Sequence, residues 1–276
     1  MTPAPDDRQR ALHAQLVAAT CHDPFVTLDL DPGTLDRIAV DQGRAAAYRS
    51  YHPWRDVHWV TGLAVDPADP AHLAAAVGLI ADVAGSTRAD GIDVEGVTVT
   101  RGGLDLLPPD LRPATYHEWD YWHTAAEPPV EMRFTTYAVE PDVTDVAGDD
   151  PRLEPFLALA SPTASLRPGD PRVARWAVIE DPEGGLPDTG GLASVVAVTH
   201  QRSGAAHLND VATHPDRRGR RLSRRLCSAV TSDALREGRP AVTLGMYADN
   251  DAARALYDAL GFTCLRGQTS GPVHHL

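Results

Sequence analysis

A strand joined to a helix through a turn crowded with arginine constrains this chain most. Residues 208–213, which include Leu208, Val211 and Ala212, predict a strand, and residues 217–225 then hold six arginines and one glycine. Apolar residues at every fourth position from Leu222 to Ala234 predict a helix directly afterwards. The first N–H groups of a helix lack partners within it, and the macrodipole places partial positive charge there. The segment therefore predicts a site for a phosphate-bearing ligand, with arginine forks contacting phosphate oxygens.

The charge balance supports a local anion site rather than a generally basic surface. The 276 residues carry a net charge of −13, and all 25 basic residues are arginine. This acidity argues against nucleic acid as the main partner and favours cationic small molecules. The absence of lysine excludes a lysine base or Schiff base.

The cysteines predict neither a disulfide framework nor a metal site. Cys21, Cys227 and Cys264 are isolated from one another and have no metal-ligand spacing, and the histidines show none either. The first ten residues are polar rather than signal-like, and no apolar run is long enough to span a bilayer. We therefore expect a cytoplasmic protein, monomeric or homodimeric, with no metal and no membrane partner.

Two segments rich in proline and acidic residues, 125–130 and 140–151, interrupt the pattern. Placing the boundary at the first predicts domains of residues 1–127 and 128–276, and the second is predicted to be a loop. Apolar runs and turn residues predict the elements of the second half. They are strands at 133–139, 176–179, 192–198, 208–213 and 242–247, helices at 153–160, from 222 and from 251, and a final strand starting at 262.

The first half repeats part of this order. It shows an apolar strand at 59–65, a helix at 71–83 and strands at 94–100 and 115–123, at nearly matching separations. This order predicts a tandem duplication. Residues 67–71 contain neither arginine nor glycine, so the first copy is predicted to lack the phosphate site and to act as a scaffold.

Two motifs together resemble the GCN5-related N-acetyltransferase superfamily. The first signature is Arg or Gln, two residues, Gly or Ala, one residue, Gly or Ala, at a strand-to-helix turn. Residues 218–223 occupy these positions: Arg218 matches, Ser223 is a near match, and Arg221 departs from the small residue expected. The second signature is an Asn at the start of a helix, then Leu-Tyr, then Gly-Phe. It is matched by Asn250, Leu256, Tyr257, Gly261 and Phe262.

The resemblance implies an α/β (α+β) fold of two tandem acetyltransferase-like domains, each a mixed, mostly antiparallel sheet flanked by helices. Only the second domain would hold the co-substrate. The implied activity is transfer of an acetyl group from acetyl-CoA to a primary amine of a small molecule, by direct attack in a ternary complex. Alternatives are acetylation of a protein N-terminus or lysine, and a non-catalytic acyl-CoA sensor.

The resemblance also implies roles for individual residues. Tyr257 occupies the position of the general acid, and Asp210 is the candidate base, with Asn209, Glu180 and His207 as alternatives. The same resemblance implies which residues bind acetyl-CoA. They are Val211, Ala212, Thr213, Arg218, Gly219, Arg220, Arg221, Leu222, Ser223, Arg224, Asn250, Ala253 and Tyr257. We expect Arg221 to lie in the first helical turn with a negative φ, where its side chain causes no strain.

The aromatic residues of the first half are expected to serve mainly in core packing. A second hypothesis is that Trp119, Trp122 or Trp54 lines a pocket for an amine through cation–π contact, with Glu118 or Asp120 supplying negative charge.

Overall fold

The computed structural model describes residues 4–52 and 56–273, which group into two compact units. The C-terminal unit comprises Trp122–Gly245 and Asp251–Thr263. The N-terminal unit comprises residues 4–121 (without 53–55), Met246–Asn250 and 264–273. The last strand of the chain therefore belongs to the N-terminal unit.

The described residues form five α-helices and eleven strands, whose bounds follow in chain order. The helices are α1 (Asp7–Ala19), α2 (Pro70–Ala89), α3 (Leu153–Ala160), α4 (Leu222–Arg236) and α5 (Asp251–Ala259). The strands are β1 (Leu35–Asp41), β2 (Ala45–His52), β3 (Val57–Ala64), β4 (Gly96–Thr100), β5 (His117–Thr124), β6 (Thr144–Val146), β7 (Val173–Glu180), β8 (Leu192–His200), β9 (Ala206–Thr213), β10 (Val242–Tyr247) and β11 (Thr263–Pro272).

The N-terminal unit contains an antiparallel β1–β2–β3 meander, followed by α2 and by β4, which pairs parallel to β3. Strand β11 pairs antiparallel to β4, with Gln268 opposite Thr100. Helix α2 buries Val77, Ile80 and Val83 in an apolar cluster with residues of β2, β3 and β4. Helix α1 packs Leu16 against Leu35, Tyr48 and Leu63 of β1, β2 and β3, so both helices bury apolar side chains against this sheet.

The C-terminal unit repeats this order. Strands β6, β7, β8 and β9 are antiparallel neighbours, α4 follows, and β10 pairs parallel to β9. Helix α3 packs Leu153, Phe156 and Leu157 against Trp176 and the inward side chains of β8 and β9. Each unit therefore has antiparallel strands (three in the N-terminal unit, four in the C-terminal unit), then a helix and a parallel strand in sequence. This confirms the predicted fold class of two tandem units with mixed, mostly antiparallel strands flanked by helices.

The prediction of a strand at 133–139 was wrong. Residues Val130–Arg133 form a 3-10 helix, and 134–139 join no sheet within the described residues. The backbone here uses other partners: Thr135 N–H donates to the Glu140 carboxylate, Thr136 N–H donates to the Arg220 carbonyl, and the Arg133 carbonyl accepts from Arg225. These contacts replace a strand ladder.

The segment 140–151 was also predicted incompletely, because it contains the short strand β6 rather than a loop alone. Helix α1 and strands β1 and β2 had not been predicted. The moderate burial of β1 and the polar face of α1 leave little periodic signal at these places.

Candidate active site

Strands β9 and β10 diverge at the centre of the C-terminal unit. Their parallel pairing joins Ala206 to Val242, His207 to Thr243 and Leu208 to Leu244, and it ends there. Residues 209–213 of β9 remain paired to β8 on the other side. One edge of β9 is therefore left without a neighbouring strand in the described part of this unit, and an extended, amide-rich chain can pair with such an edge.

A β-bulge at Asp210 causes this divergence. Val195 lies opposite Ala212 and Ala197 opposite Asn209, so two residues of β9 face one residue of β8. Asp210 has a φ of +50°, which is unusual for a residue other than glycine. A bulge bends its strand and increases the local twist, and that turns the end of β9 away from β10.

The carboxylate of Asp210 is occupied by a neighbouring loop. Its Oδ1 accepts the N–H of Ser165 and its Oδ2 that of Leu166, each at 2.9 Å. The Ser165 hydroxyl lies 3.4 Å from Oδ2. Both oxygens thus hold the loop on the bulge, and a structural role is what the geometry supports for Asp210.

The turn between β9 and α4 offers a series of main-chain donors. A 3-10 helix, Pro215–Arg217, precedes it. Within the described residues, no acceptor is recorded for any backbone N–H from Gly219 to Arg224. Gly219 has a φ of +75° and Arg221 one of +64°, with Arg220 between them outside the left-handed region. Such an alternation turns successive N–H groups toward a common point and forms an anion-binding concavity.

The expectation for Arg221 was wrong. Arg221 is the N-cap of α4, one residue before the helix, with φ +64° and ψ +22°. A left-handed conformation costs a residue with a Cβ about 1 kcal/mol. The turn demands that conformation here, and this is the physical reason a small residue is expected at the position.

The arginines of the segment divide into two groups by their contacts. Arg217 binds Asp181 through two hydrogen bonds of 2.8 Å, and Arg220 Nη1 lies 3.0 Å from Glu183 Oε1. Arg224 donates to the Glu131 carbonyl at 2.8 Å, and Arg225 donates to backbone carbonyls of the 133–141 segment.

Arg218 and Arg221 form the second group. Both are exposed, and neither side chain has a recorded partner in the part of the chain that the structure describes. They flank Gly219 and Arg220 at the turn. Two guanidinium groups therefore stand beside the open N–H groups without a carboxylate to neutralise them.

Ser223 fixes the start of α4 to the end of β9. Its Oγ lies 2.6 Å from the Thr213 hydroxyl, which lies 3.1 Å from Ser194 Oγ. Ser194 in turn donates to the Ala212 carbonyl at 2.9 Å. The hydroxyl chain links the turn to the diverging strand, and Leu222 anchors the same turn in the core, where it is 1% exposed.

Tyr257 lies on α5 with its ring 5.6 Å from that of Phe262. Burial raises its pKa well above the ordinary value of 10.0, with a smaller contribution from Cys227. Burial also raises the pKa of the Cys227 thiol to about 12. Tyr257 therefore keeps its proton at neutral pH, and Cys227 is no thiolate nucleophile there.

The other predicted site residues lie at the start of α5 and on strands β7 and β9. Asn250 directly precedes α5, and Ala253 lies in its first turn. Among the alternative bases, Glu180 pairs with Arg152 at 2.6 Å, the His207 ring is 2.8 Å from the Thr243 hydroxyl, and Asn209 donates to Thr199.

The hypothesis of an aromatic amine pocket gains no support from the geometry. Asp120 is buried and bound to Arg101 at 2.6 Å, and Trp119 donates to the Ser270 hydroxyl. Trp122 is only 2% exposed, and Trp54 lies outside the described residues.

The corresponding helix start in the N-terminal unit is capped by a carboxylate. The Asp69 carboxylate caps α2 by accepting the N–H of Ala71 at 2.8 Å, and Pro70 at the first helical position has no N–H. A carboxylate at this end repels a phosphate, and the open donors of the C-terminal unit have no counterpart among these residues.

Sequence reasoning missed Asp181 and Glu183, which contact two of the arginines. They lie in the acidic loop, residues 181–191, between β7 and β8. No local pattern distinguishes these carboxylates from other loop acids, since their partners are about 36 residues away. The described residues contain no group of three metal-ligating side chains, and no described helix is long and apolar enough to cross a membrane.

Residues 156–262 match the model of the acetyltransferase (GNAT) family. This segment runs from α3 to the end of α5 and includes both motifs, and we identify it as a GNAT-family domain. No curated protein matches the chain.

Solved structures extend the likeness to nearly the whole chain. A GCN5-related N-acetyltransferase from Sphaerobacter thermophilus is 16% identical, with 99% of this chain and 95% of that chain covered and a TM-score of 0.53. One from Kribbella flavida is 15% identical, with 96% of each covered and a TM-score of 0.52. A putative acetyltransferase from Novosphingobium aromaticivorans is 18% identical, with 94% and 97% covered and a TM-score of 0.50. At these identities the likeness shows the fold.

Proposed function

We propose that the chain is an N-acetyltransferase that moves an acetyl group from acetyl-CoA to a primary amine of a small molecule. The domain of residues 128–276 would carry the activity. One observation supports this most: the main-chain donors from Gly219 to Arg224 are open at the start of α4, in a GNAT-family domain. A diphosphate needs several converging donors, and this turn offers them.

The residues around the turn fit the other parts of the co-substrate. Arg218 and Arg221 would offset phosphate charge, and Leu222 and Ser223 would hold the turn in shape. The free edge of β9, including Val211, Ala212 and Thr213, would pair with the amide-rich arm. Without ligand, Arg220 already contacts Glu183 and Arg224 already donates to the Glu131 carbonyl. We therefore assign these two arginines a smaller contribution to the binding of acetyl-CoA.

Tyr257 is the proposed general acid. Its raised pKa keeps the phenol in the protonated form that a donor needs. A thiol has an ordinary pKa of about 8.5, so the Tyr257 phenol is a weaker acid than the thiol that leaves. The phenol would therefore transfer its proton only as negative charge develops on the sulfur. Bound acetyl-CoA would supply the thioester, and the amine would attack it directly. A buried Cys227 thiol with a pKa of about 12 argues against an acyl-enzyme at that residue.

The attacking amine must first lose a proton. An alkyl amine with a pKa of about 10 is mostly protonated at neutral pH. Because both oxygens of Asp210 accept loop N–H groups, we propose that Asp210 shapes the bulge and that water carries this proton away. The net charge of −13 supports a cationic acceptor.

The N-terminal half, residues 1–127, is proposed to be a degenerate acetyltransferase-like domain without a phosphate site. The Asp69 cap and Pro70 at the start of α2 support this. It would act as a scaffold rather than as a second catalytic domain.

The engagement of Asp210 favours one alternative, a non-catalytic acyl-CoA sensor. Calorimetric titration with CoA and a thiol-release assay with acetyl-CoA and a panel of amines separate the two functions. We expect binding together with amine-dependent thiol release. Binding without release from any amine or peptide would support the sensor, and release only with peptides would support a protein acetyltransferase. Absence of CoA binding would contradict the proposed function.

A further inference from the structure

We infer that Glu183 competes with the phosphates of the ligand for Arg220 and thereby sets the affinity of the proposed site. This inference rests on the proposed function of the turn as a diphosphate site. It assigns a specificity-determining role to a residue of the acidic loop that lies outside both sequence motifs.

The geometry places the Glu183 carboxylate against the arginine segment. Its Oε1 lies 3.0 Å from Arg220 Nη1, and its Oε2 lies 3.8 Å from Arg217 Nε. The guanidinium of Arg220 also lies over the Tyr137 ring, with its Cζ 5.4 Å from the ring centroid. Carboxylate and phosphate oxygens use the same guanidinium donors. Glu183 therefore occupies a position on Arg220 that a phosphate oxygen would take.

The neighbouring pair holds the loop in place while the Glu183 pair can open. Asp181 and Arg217 have side chains only 1% and 13% exposed, and they join the acidic loop to the turn through two hydrogen bonds. Glu183 and Arg220 are 45% and 41% exposed. An exposed ion pair contributes little free energy, so a multiply charged ligand can displace it.

A diphosphate that binds beside Glu183 then meets one of two free-energy costs. The ligand must replace the carboxylate on Arg220, or it must remain close to a like charge. Removing the charge of Glu183 should therefore tighten binding, and the gain should depend on Arg220. This dependence distinguishes competition at one guanidinium from a general effect of negative charge.

A double-mutant cycle tests the inference in the full chain. CoA and, separately, inorganic pyrophosphate are titrated calorimetrically into the parent protein, Glu183→Gln, Arg220→Gln and the double variant. Asp188→Asn is the matched control, because it removes one charge from the same loop beside His214 rather than beside an arginine. Circular dichroism confirms folding of each variant.

We expect Glu183→Gln to lower the Kd of CoA about 3- to 10-fold and to have no effect when Arg220 is already replaced. An unchanged or higher Kd for Glu183→Gln overturns the inference, as does an equal gain in the Arg220→Gln background or with Asp188→Asn. If CoA fails to bind the parent but pyrophosphate binds with the expected cycle, the proposed function fails and the competition holds. If neither ligand binds any variant, both fail.

Discussion

Arg217 and Asp181 form a two-point ion pair, in which Nε donates to Oδ1 and Nη2 donates to Oδ2, both at 2.8 Å. The pair joins the acidic loop to the turn before α4 across 36 positions of sequence. One member of the arginine segment thus stabilises the architecture of the turn and is not available to a ligand. Among the six arginines of the segment, Arg218 and Arg221 are those whose side chains have no partner within the described residues.

Replacing Asp181 should destabilise the fold more than replacing an exposed acid. Asp181→Asn leaves Arg217 without its buried partner, and we expect a loss of about 3 kcal/mol in the free energy of unfolding at pH 7. Chemical denaturation measures it, with Asp216→Asn, at an exposed neighbour of Arg217, as the control. Equal stability of the two variants would contradict the structural role.

The same pair should give acid-dependent stability. The hydrogen bond from Arg217 holds the pKa of Asp181 below its ordinary value of 3.8. A carboxyl with a lowered pKa stabilises the folded state fully above its unfolded pKa, and this contribution is lost as the pH falls through the folded value. The stability difference between the parent and Asp181→Asn should therefore shrink below about pH 3.8. A difference that stays constant down to pH 2 would argue against the linkage.

Two substitutions at Arg221 separate its backbone conformation from its charge. Arg221→Gly accepts the φ of +64° without strain, whereas Arg221→Ala keeps a Cβ there. We expect the glycine variant to be more stable than the alanine variant by about 1 kcal/mol in chemical denaturation. Both remove the guanidinium, so both should weaken CoA binding about 3- to 10-fold by calorimetry. A large difference in Kd between them would assign the binding effect to the backbone instead.

Removal of the Tyr257 hydroxyl should reduce turnover while preserving co-substrate binding. Tyr257→Phe keeps the packing against Phe262 and deletes the proton donor, so thiol release should fall about 100-fold with little change in the Kd of CoA. Tyr247→Phe, at an exposed position of β10, is the control. Full activity of Tyr257→Phe at every pH would remove the assignment of the general acid.

Asp210→Asn distinguishes a structural carboxylate from a base. An amide has one oxygen for the N–H groups of Ser165 and Leu166, so we expect a stability loss of about 1–3 kcal/mol. The acidic limb of the pH–rate profile should keep its midpoint in the remaining activity. Loss of that limb in the variant would restore Asp210 as the base. Ser165→Ala, which removes only the 3.4 Å hydroxyl contact, is the milder control.

Much of the C-terminal unit could be predicted because its signals are local. The apolar residues of β9, the apolar residues at every fourth position of α4 and the helix stop at Gly238 and Pro240 lie within short stretches of chain, and each element lies at the expected place. The 133–139 segment could not be assigned in this way, since its backbone partners include Arg220 of the turn and Arg225 of α4, which follow more than 80 residues later.

The sequence by itself determined the order of elements from β3 to β5 and from α3 to β11, including the strand–turn–helix that bears the arginines, because hydrophobic periodicity and turn residues act over a few positions. Only the tertiary structure decided which arginines are neutralised, that Arg221 adopts a left-handed conformation, that Asp210 holds a loop, and that β11 pairs with β4. Each of these depends on groups distant along the chain, and no pattern of neighbouring residues contains them.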